Sequence, residues 1–149
     1  MIIYLEKGNL DAAYSGMRLI NDNNKTVGYY GQSFNWRKCW EFNYIDINCF
    51  AHHRKFIDQG FRFDENLKRL VDWDFILRLT ANSRTSYAPF LGVEYYDGTK
   101  GNRITFNEYP DDEINRIISN VRDKYTSIRN TKRKFEKRNN DDYIKILND

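Results

Sequence analysis

Residues 48–79, NCFAHHRKFIDQGFRFDENLKRLVDWDFILRL, decide how this chain folds. The stretch enters in extended form. Over residues 44–52 (YIDINCFAH), Ile45, Ile47 and Cys49 alternate with Asp46 and Asn48, the period of a strand buried on one face. A short helix over 54–59 follows and is closed by Gly60. The second half then changes period: Phe75, Ile76 and Leu79 fall at i, i+1 and i+4, the stripe of an amphipathic helix. Asp72 stands at the N-terminal edge of that helix, where a carboxylate is favoured.

Upstream, residues 1–7 read as the last turns of a helix stopped by Gly8 and Asn9, an opening that suggests a chain cut from a longer one. Residues 10–20 and 26–30 read as two strands joined by the polar turn NDNNK, a β-hairpin. Downstream, residues 84–96 are again extended, interrupted by Pro89 and Gly92. From Asp111 the sequence DDEINRIISNVRDKYTSI places acids in a first turn, then Ile114, Ile117, Ile118 and Val121 at helical spacing to about Ser127. A basic tail over 129–138 and a final turn over 141–149 complete the chain. The expected class is α+β (mixed α/β), with a β-hairpin and mixed sheet flanked by helices over 1–109. Residues 110–149 are expected to form a helical extension with a basic tail.

Composition narrows the function classes. At 149 residues the chain has the size of one domain, and 40% hydrophobic with 16% aromatic residues supplies a core despite a mean hydropathy of -0.81. No apolar run approaches the roughly 20 residues that span a bilayer, and the start has no signal-peptide pattern. Two cysteines, Cys39 and Cys49, with no CxxC pair, read as small core residues in a reducing, cytoplasmic setting. The net charge of +3 names no partner by itself.

The order of motifs in residues 48–79 resembles the acceptor-side half of family 2 glycosyltransferases, inverting enzymes of the GT-A fold. The matching positions are Asn48, Phe50, His52, Gly60, Phe63-Asp64-Glu65, Leu67, Asp72-Trp73-Asp74 and Leu77-Arg78-Leu79. The strand LDAAYSGMRLI resembles the one that follows the family's metal-binding region, so the likeness spans residues 1–107. Val71 departs from the pattern, in which many members carry Glu. The resemblance implies a nucleotide-sugar donor, a glycan or other hydroxyl acceptor, and a divalent metal (Mn or Mg) on the donor diphosphate. It places the metal ligands in a nucleotide-binding half that these residues do not contain, so no metal residue is expected here. A sheet continuing into such a half implies a homo-oligomer when it ends at an open edge.

Each candidate residue carries two readings. Asp72 and Asp74 lie about 200° apart on a regular helix and cannot share one pocket. Asp74 precedes Arg78 by four, the favourable spacing for a structural ion pair, which leaves Asp72 as the general base or merely an N-cap. His52 aligns with the substrate-side residue of the family strand, against a histidine bonded to backbone; Asn48 is the second substrate-side candidate. The adjacent His53 faces the opposite side of a strand, so the pair does not converge on a metal. Trp73 either stacks on a sugar ring or fills core. Trp36, Trp40 and the tyrosines from Tyr29 to Tyr44 either line an acceptor cleft or pack. The basic run from Lys132 to Arg138 has three readings: a solvated helix end, attraction to an anionic membrane (at about 1 kcal/mol per residue) or to a phosphate-bearing acceptor, and, last, nucleic acid. No nucleic-acid-binding pattern is present. The competing function is a non-catalytic module, derived from a truncated transferase, that binds a sugar or a protein.

Overall fold

The computed structural model describes residues 1–96 and 110–132. The boundary at 109, the final turn over 141–149 and the basic run beyond Lys132 lie outside the described residues. Among the described residues the elements follow in chain order as α1 (Ile2–Lys7), β1 (Ala12–Ile20), β2 (Thr26–Tyr30), α2 (Trp36–Glu41), β3 (Phe50–His52), α3 (Lys55–Asp58), α4 (Val71–Thr80), β4 (Thr85–Tyr96) and α5 (Asp111–Lys124), with a 3-10 turn before β3. Residues 126–132 are again helical. The fold is mixed α/β with helices flanking a four-stranded mixed sheet.

β1 is the organising strand. Its N-terminal half pairs antiparallel with β3 (Ala12 opposite His52) and its C-terminal half with β2 (Met17 opposite Tyr30). Along its other edge it pairs with β4 in parallel. Ala12, Ala13, Tyr14, Ser15 and Met17 are all buried, as a strand covered on both faces requires. The β1–β2 turn holds because Asn21 Oδ1 accepts the N–H groups of Asn23 and Lys25, both at 3.0 Å. In β4, Ala88 faces Ser15 but Leu91 faces Gly16, so Pro89 and Phe90 bulge out of the ladder. Proline has no N–H to give that ladder. Gly92 is required by close approach, since a Cβ there would lie 2.2 Å from Ser15 Oγ.

Two expectations need correction. The third strand spans Phe50–His52, not 44–52, because a 3-10 turn (Ile47–Cys49) interrupts the alternating pattern. Asp46 causes it: its Oδ1 accepts the backbone N–H and the side-chain amide of Asn48, both at 2.8 Å, offering the backbone a local turn in place of a ladder. The sequence reading also passed over α2, whose signal is Asn35. This residue caps the helix by accepting the Lys38 N–H at 3.0 Å.

α3 ends in a Schellman motif. The Phe61 N–H reaches the Phe56 carbonyl at 2.9 Å, and Gly60 N–H reaches Ile57 at 3.0 Å. The Phe56 and Phe61 rings meet edge-on at 5.3 Å, the apolar contact that accompanies the motif. Gly60 has φ +87° with nothing within 4 Å of a Cβ built there, so conformation alone demands glycine. Gly60→Ala is therefore expected to cost about 1 kcal/mol, read as a shifted urea midpoint with an unchanged m-value.

α4 lies between two apolar clusters. Trp73, Ile76 and Leu77 join Tyr14, Trp36, Cys39 and Ile45, while Phe75 and Leu79 join Ala12 and Phe56. The helix is thus buried on nearly every side, wider than the amphipathic stripe expected. Both cysteines are buried, and burial pushes the Cys39 thiol up to about 12 and Cys49 to about 11. Among the described residues no helix is long and apolar enough to cross a membrane.

Candidate functional site

A cleft of about 650 Å³ opens at the N-terminal end of α4, lined by Asp72 among others. β1 contributes Met17 and Leu19, β2 gives Tyr30, β4 gives Tyr95, and the segment before β3 gives Asn43, Tyr44, Ile45 and Asp46. Lys68, Arg69, Leu70 and Val71 complete the wall. The chain enters α4 through Leu70, whose φ of 61° and ψ of 26° are left-handed. A leucine there carries a backbone cost of roughly 1 kcal/mol, sustained by its packing against the core.

The helix begins at Val71, so Asp72 is not its N-cap. Its carboxylate is half-buried on the cleft wall and has the Asn43 amide at 3.5 Å, the outer limit of a hydrogen bond. Asp74 lies on the other side and is 1% exposed. It accepts the Tyr125 hydroxyl at 2.8 Å and the Lys124 ammonium at 3.1 Å; Arg78 stands at 3.6 Å. The expected Asp74–Arg78 pair is present, but the shorter contacts come from α5 and the residue after it. The sequence offered no sign of them, because a partner fifty residues away leaves no periodic trace.

Lys124 also reaches Asp64 at 2.7 Å. That hydrogen bond holds the Asp64 carboxyl below the usual carboxylate range. Partial burial disfavours the charged Lys124, yet its bonds to Asp64 and Asp74 outweigh this and raise its pKa. Lys55 does for Asp11 what Lys124 does for Asp64, lowering it. A depressed carboxylate stabilises the fold above its unfolded pKa of about 4, and that contribution disappears as pH falls through the lower folded value. Raised Lys124 works in the opposite sense, its contribution being complete below about pH 10 and lost as pH rises further. Stability in urea should therefore fall below about pH 4. Asp11→Asn with Asp64→Asn should flatten part of that acid limb.

Of Asp72, His52, Asn48 and Trp73, the catalytic and substrate-side candidates, Asp72 alone lines this cleft. His52 pairs with Ala12, whereas the cleft begins at Met17 on the same strand, roughly 15 Å further on. Its ring packs against Phe50, Phe56 and Phe75, and Nδ1 lies 3.1 Å from the His53 carbonyl. Asn48 is tied to Asp46 in the 3-10 turn and borders a separate hollow with Ser15 and Phe90. Trp73 is 2% exposed and donates its indole N–H to the Cys39 carbonyl at 2.6 Å, so neither ring face is offered to a sugar. Trp36 is buried too, bonded to the Leu77 carbonyl at 3.0 Å. Tyr30 and Tyr44 do line the cleft, and Lys68, Arg69 and Asn43 join them without having been singled out.

The start of the basic tail is occupied rather than free. Trp40 donates to the Arg122 carbonyl at 2.9 Å, while the Arg122 guanidinium bonds the Trp40 and Glu41 carbonyls at the end of α2. A cation capping a helix C-terminus satisfies orphan carbonyls and the helix dipole together. Arg129 lies over the Trp40 ring at 4.9 Å and Lys132 over Trp36 at 5.6 Å.

Among the described residues no group of three or more His, Cys, Asp and Glu side chains could hold a metal ion. With Asp74 buried, Asp72-Trp73-Asp74 does not present two carboxylates to one site. Comparison with known families, with curated proteins and with solved structures finds no match.

Proposed function

We propose that this chain is the acceptor side of an inverting glycosyltransferase, with Asp72 as its general base. One observation carries the reading. Two carboxylates two residues apart have separate tasks: Asp72 borders a cleft, and Asp74 is bound inside the protein. In the reaction, the acceptor hydroxyl oxygen bonds to the anomeric carbon as the bond to the donor diphosphate breaks. The electron pair leaves with the diphosphate, and Asp72 takes the hydroxyl proton.

The groups that would hold the donor's nucleotide and a divalent metal belong, on this reading, to sequence beyond residues 1–149; residues 1–149 supply the proton acceptor. The setting is cytoplasmic, with homo-oligomerisation through the sheet edge and peripheral membrane contact by the basic tail as attendant proposals. The test is transfer of radiolabelled sugar by a protein that joins these residues to a nucleotide-sugar-binding half, with Asp72→Asn compared to Asp74→Asn. Near-normal turnover in Asp72→Asn would overturn the base assignment and favour the non-catalytic binding module.

A further inference from the structure

The cleft beside Asp72 is balanced in charge, since the carboxylates of Asp46 and Asp72 are matched by Lys68 and Arg69. Several of its polar groups are engaged within the chain. Asp46 Oδ1 accepts the backbone N–H and the side-chain amide of Asn48, and the Tyr44 hydroxyl is held by the Asn35 backbone at 2.9 and 3.1 Å. Arg69 is engaged as well. A charged ligand would find no net attraction here to offset its lost hydration.

The floor, by contrast, is apolar. β2, β1 and β4 lie side by side, so residues opposite one another share a face of the sheet. Met17 stands opposite Tyr30; Leu19 stands opposite Gly28 on one side and Tyr95 on the other. Tyr30 is 40% exposed, and Leu19 and Tyr95 are half-buried. Gly28 leaves a gap in this row: among the described residues, a Cβ built there would touch only Leu19 Cδ1, at 3.6 Å. In the wall, Asp72 and the Asn43 amide, 3.5 Å apart, offer an acceptor and a donor.

We infer that the acceptor is neutral and amphipathic, a hydroxyl-bearing head at Asp72 joined to an apolar aryl or alkyl body; this rests on the transferase reading of the same cleft. The body lies on Met17, Leu19 and the rings of Tyr30 and Tyr95, which present flat apolar surface. A cleft of about 650 Å³ holds head and body together.

The experiment titrates the ¹⁵N-labelled 149-residue chain with methyl, phenyl and octyl β-glucosides, the last below its micelle concentration. The three carry one sugar head on different bodies. Phenyl and octyl glucoside should shift the amide resonances of residues 17–19, 28–30 and 68–72. Both should bind about tenfold more tightly than methyl glucoside, as burial of roughly 60 Å² of extra apolar surface requires. Tighter binding of the phenyl compound assigns an aryl body, and of the octyl compound an alkyl one. Raising salt from about 0.1 to 1 M should not weaken binding, because no ion pair forms. Gly28→Trp fills the gap beside Leu19 and should abolish the preference. Leu19→Thr, which keeps a strand-forming residue, should reduce it to about twofold and decides the matter if Gly28→Trp fails to fold. Equal binding of the three glucosides, binding of none, or weakening by salt would overturn the proposal. So would shifts confined to the separate hollow at Ile3, Tyr4 and Leu10. Equal binding with Asp72-dependent transfer intact overturns the ligand class alone. Apolar preference without Asp72-dependent transfer overturns the transferase reading and leaves an apolar binding cleft.

Discussion

Asp72→Asn is expected to lower sugar-transfer turnover by on the order of 10² to 10⁴, the usual contribution of a positioned general base. The amide keeps the shape of the side chain and loses only the ability to accept a proton. Asp72 is half-buried, with the Asn43 amide at 3.5 Å, so the substitution should leave the stability measured in urea within about 0.5 kcal/mol of the parent. Donor affinity should also persist, because the base acts on the acceptor proton and not on the diphosphate. Asp74→Asn should show the converse: lower stability, with turnover per folded molecule retained. If Asp74→Asn abolished turnover without unfolding while Asp72→Asn did not, the roles of the two carboxylates would be exchanged.

The second large effect concerns stability. Replacing Lys124 by Met and Tyr125 by Phe together should cost about 3 kcal/mol, the low end for breaking a buried ion pair. The low end applies because Arg78 remains 3.6 Å from Asp74, and because Lys124 is itself 37% exposed and partly screened. What makes the loss large is the stranded partner, since the Asp74 side chain is only 2% exposed and cannot recover hydration. Adding Asp74→Asn to the double variant should restore part of the stability, because an amide carries no charge to strand. Urea melts of the parent, the double and the triple variant test this. A triple variant less stable than the double would show that the charge on Asp74 is not the source of the loss.

What the sequence determined by itself was local. Gly60 closes α3 because the Schellman motif needs a left-handed residue there, and that demand is visible in one glycine after a short helical run. The hairpin was equally legible, since NDNNK can only turn, and β2 spans Thr26–Tyr30 as read. The separation of Asp72 from Asp74 followed from the helical period alone. Once the helix formed, the two had to face different surroundings.

Tertiary structure decided which surroundings. Asp74 found its nearest partners at Lys124 and Tyr125, and Trp73 spent its indole on the Cys39 carbonyl. His52 was placed with Phe56 and Phe75, because β3 pairs with the start of β1 while the cleft opens beyond Met17. Periodicity reports which face of an element is apolar. It does not report which distant element covers that face, or where along a shared strand two segments meet. Those choices come from the packing of α4 between two clusters and from the docking of α5. The bonds that fix them join residues 50 and 82 positions apart, as in Lys124 with Asp74 and Trp40 with Arg122.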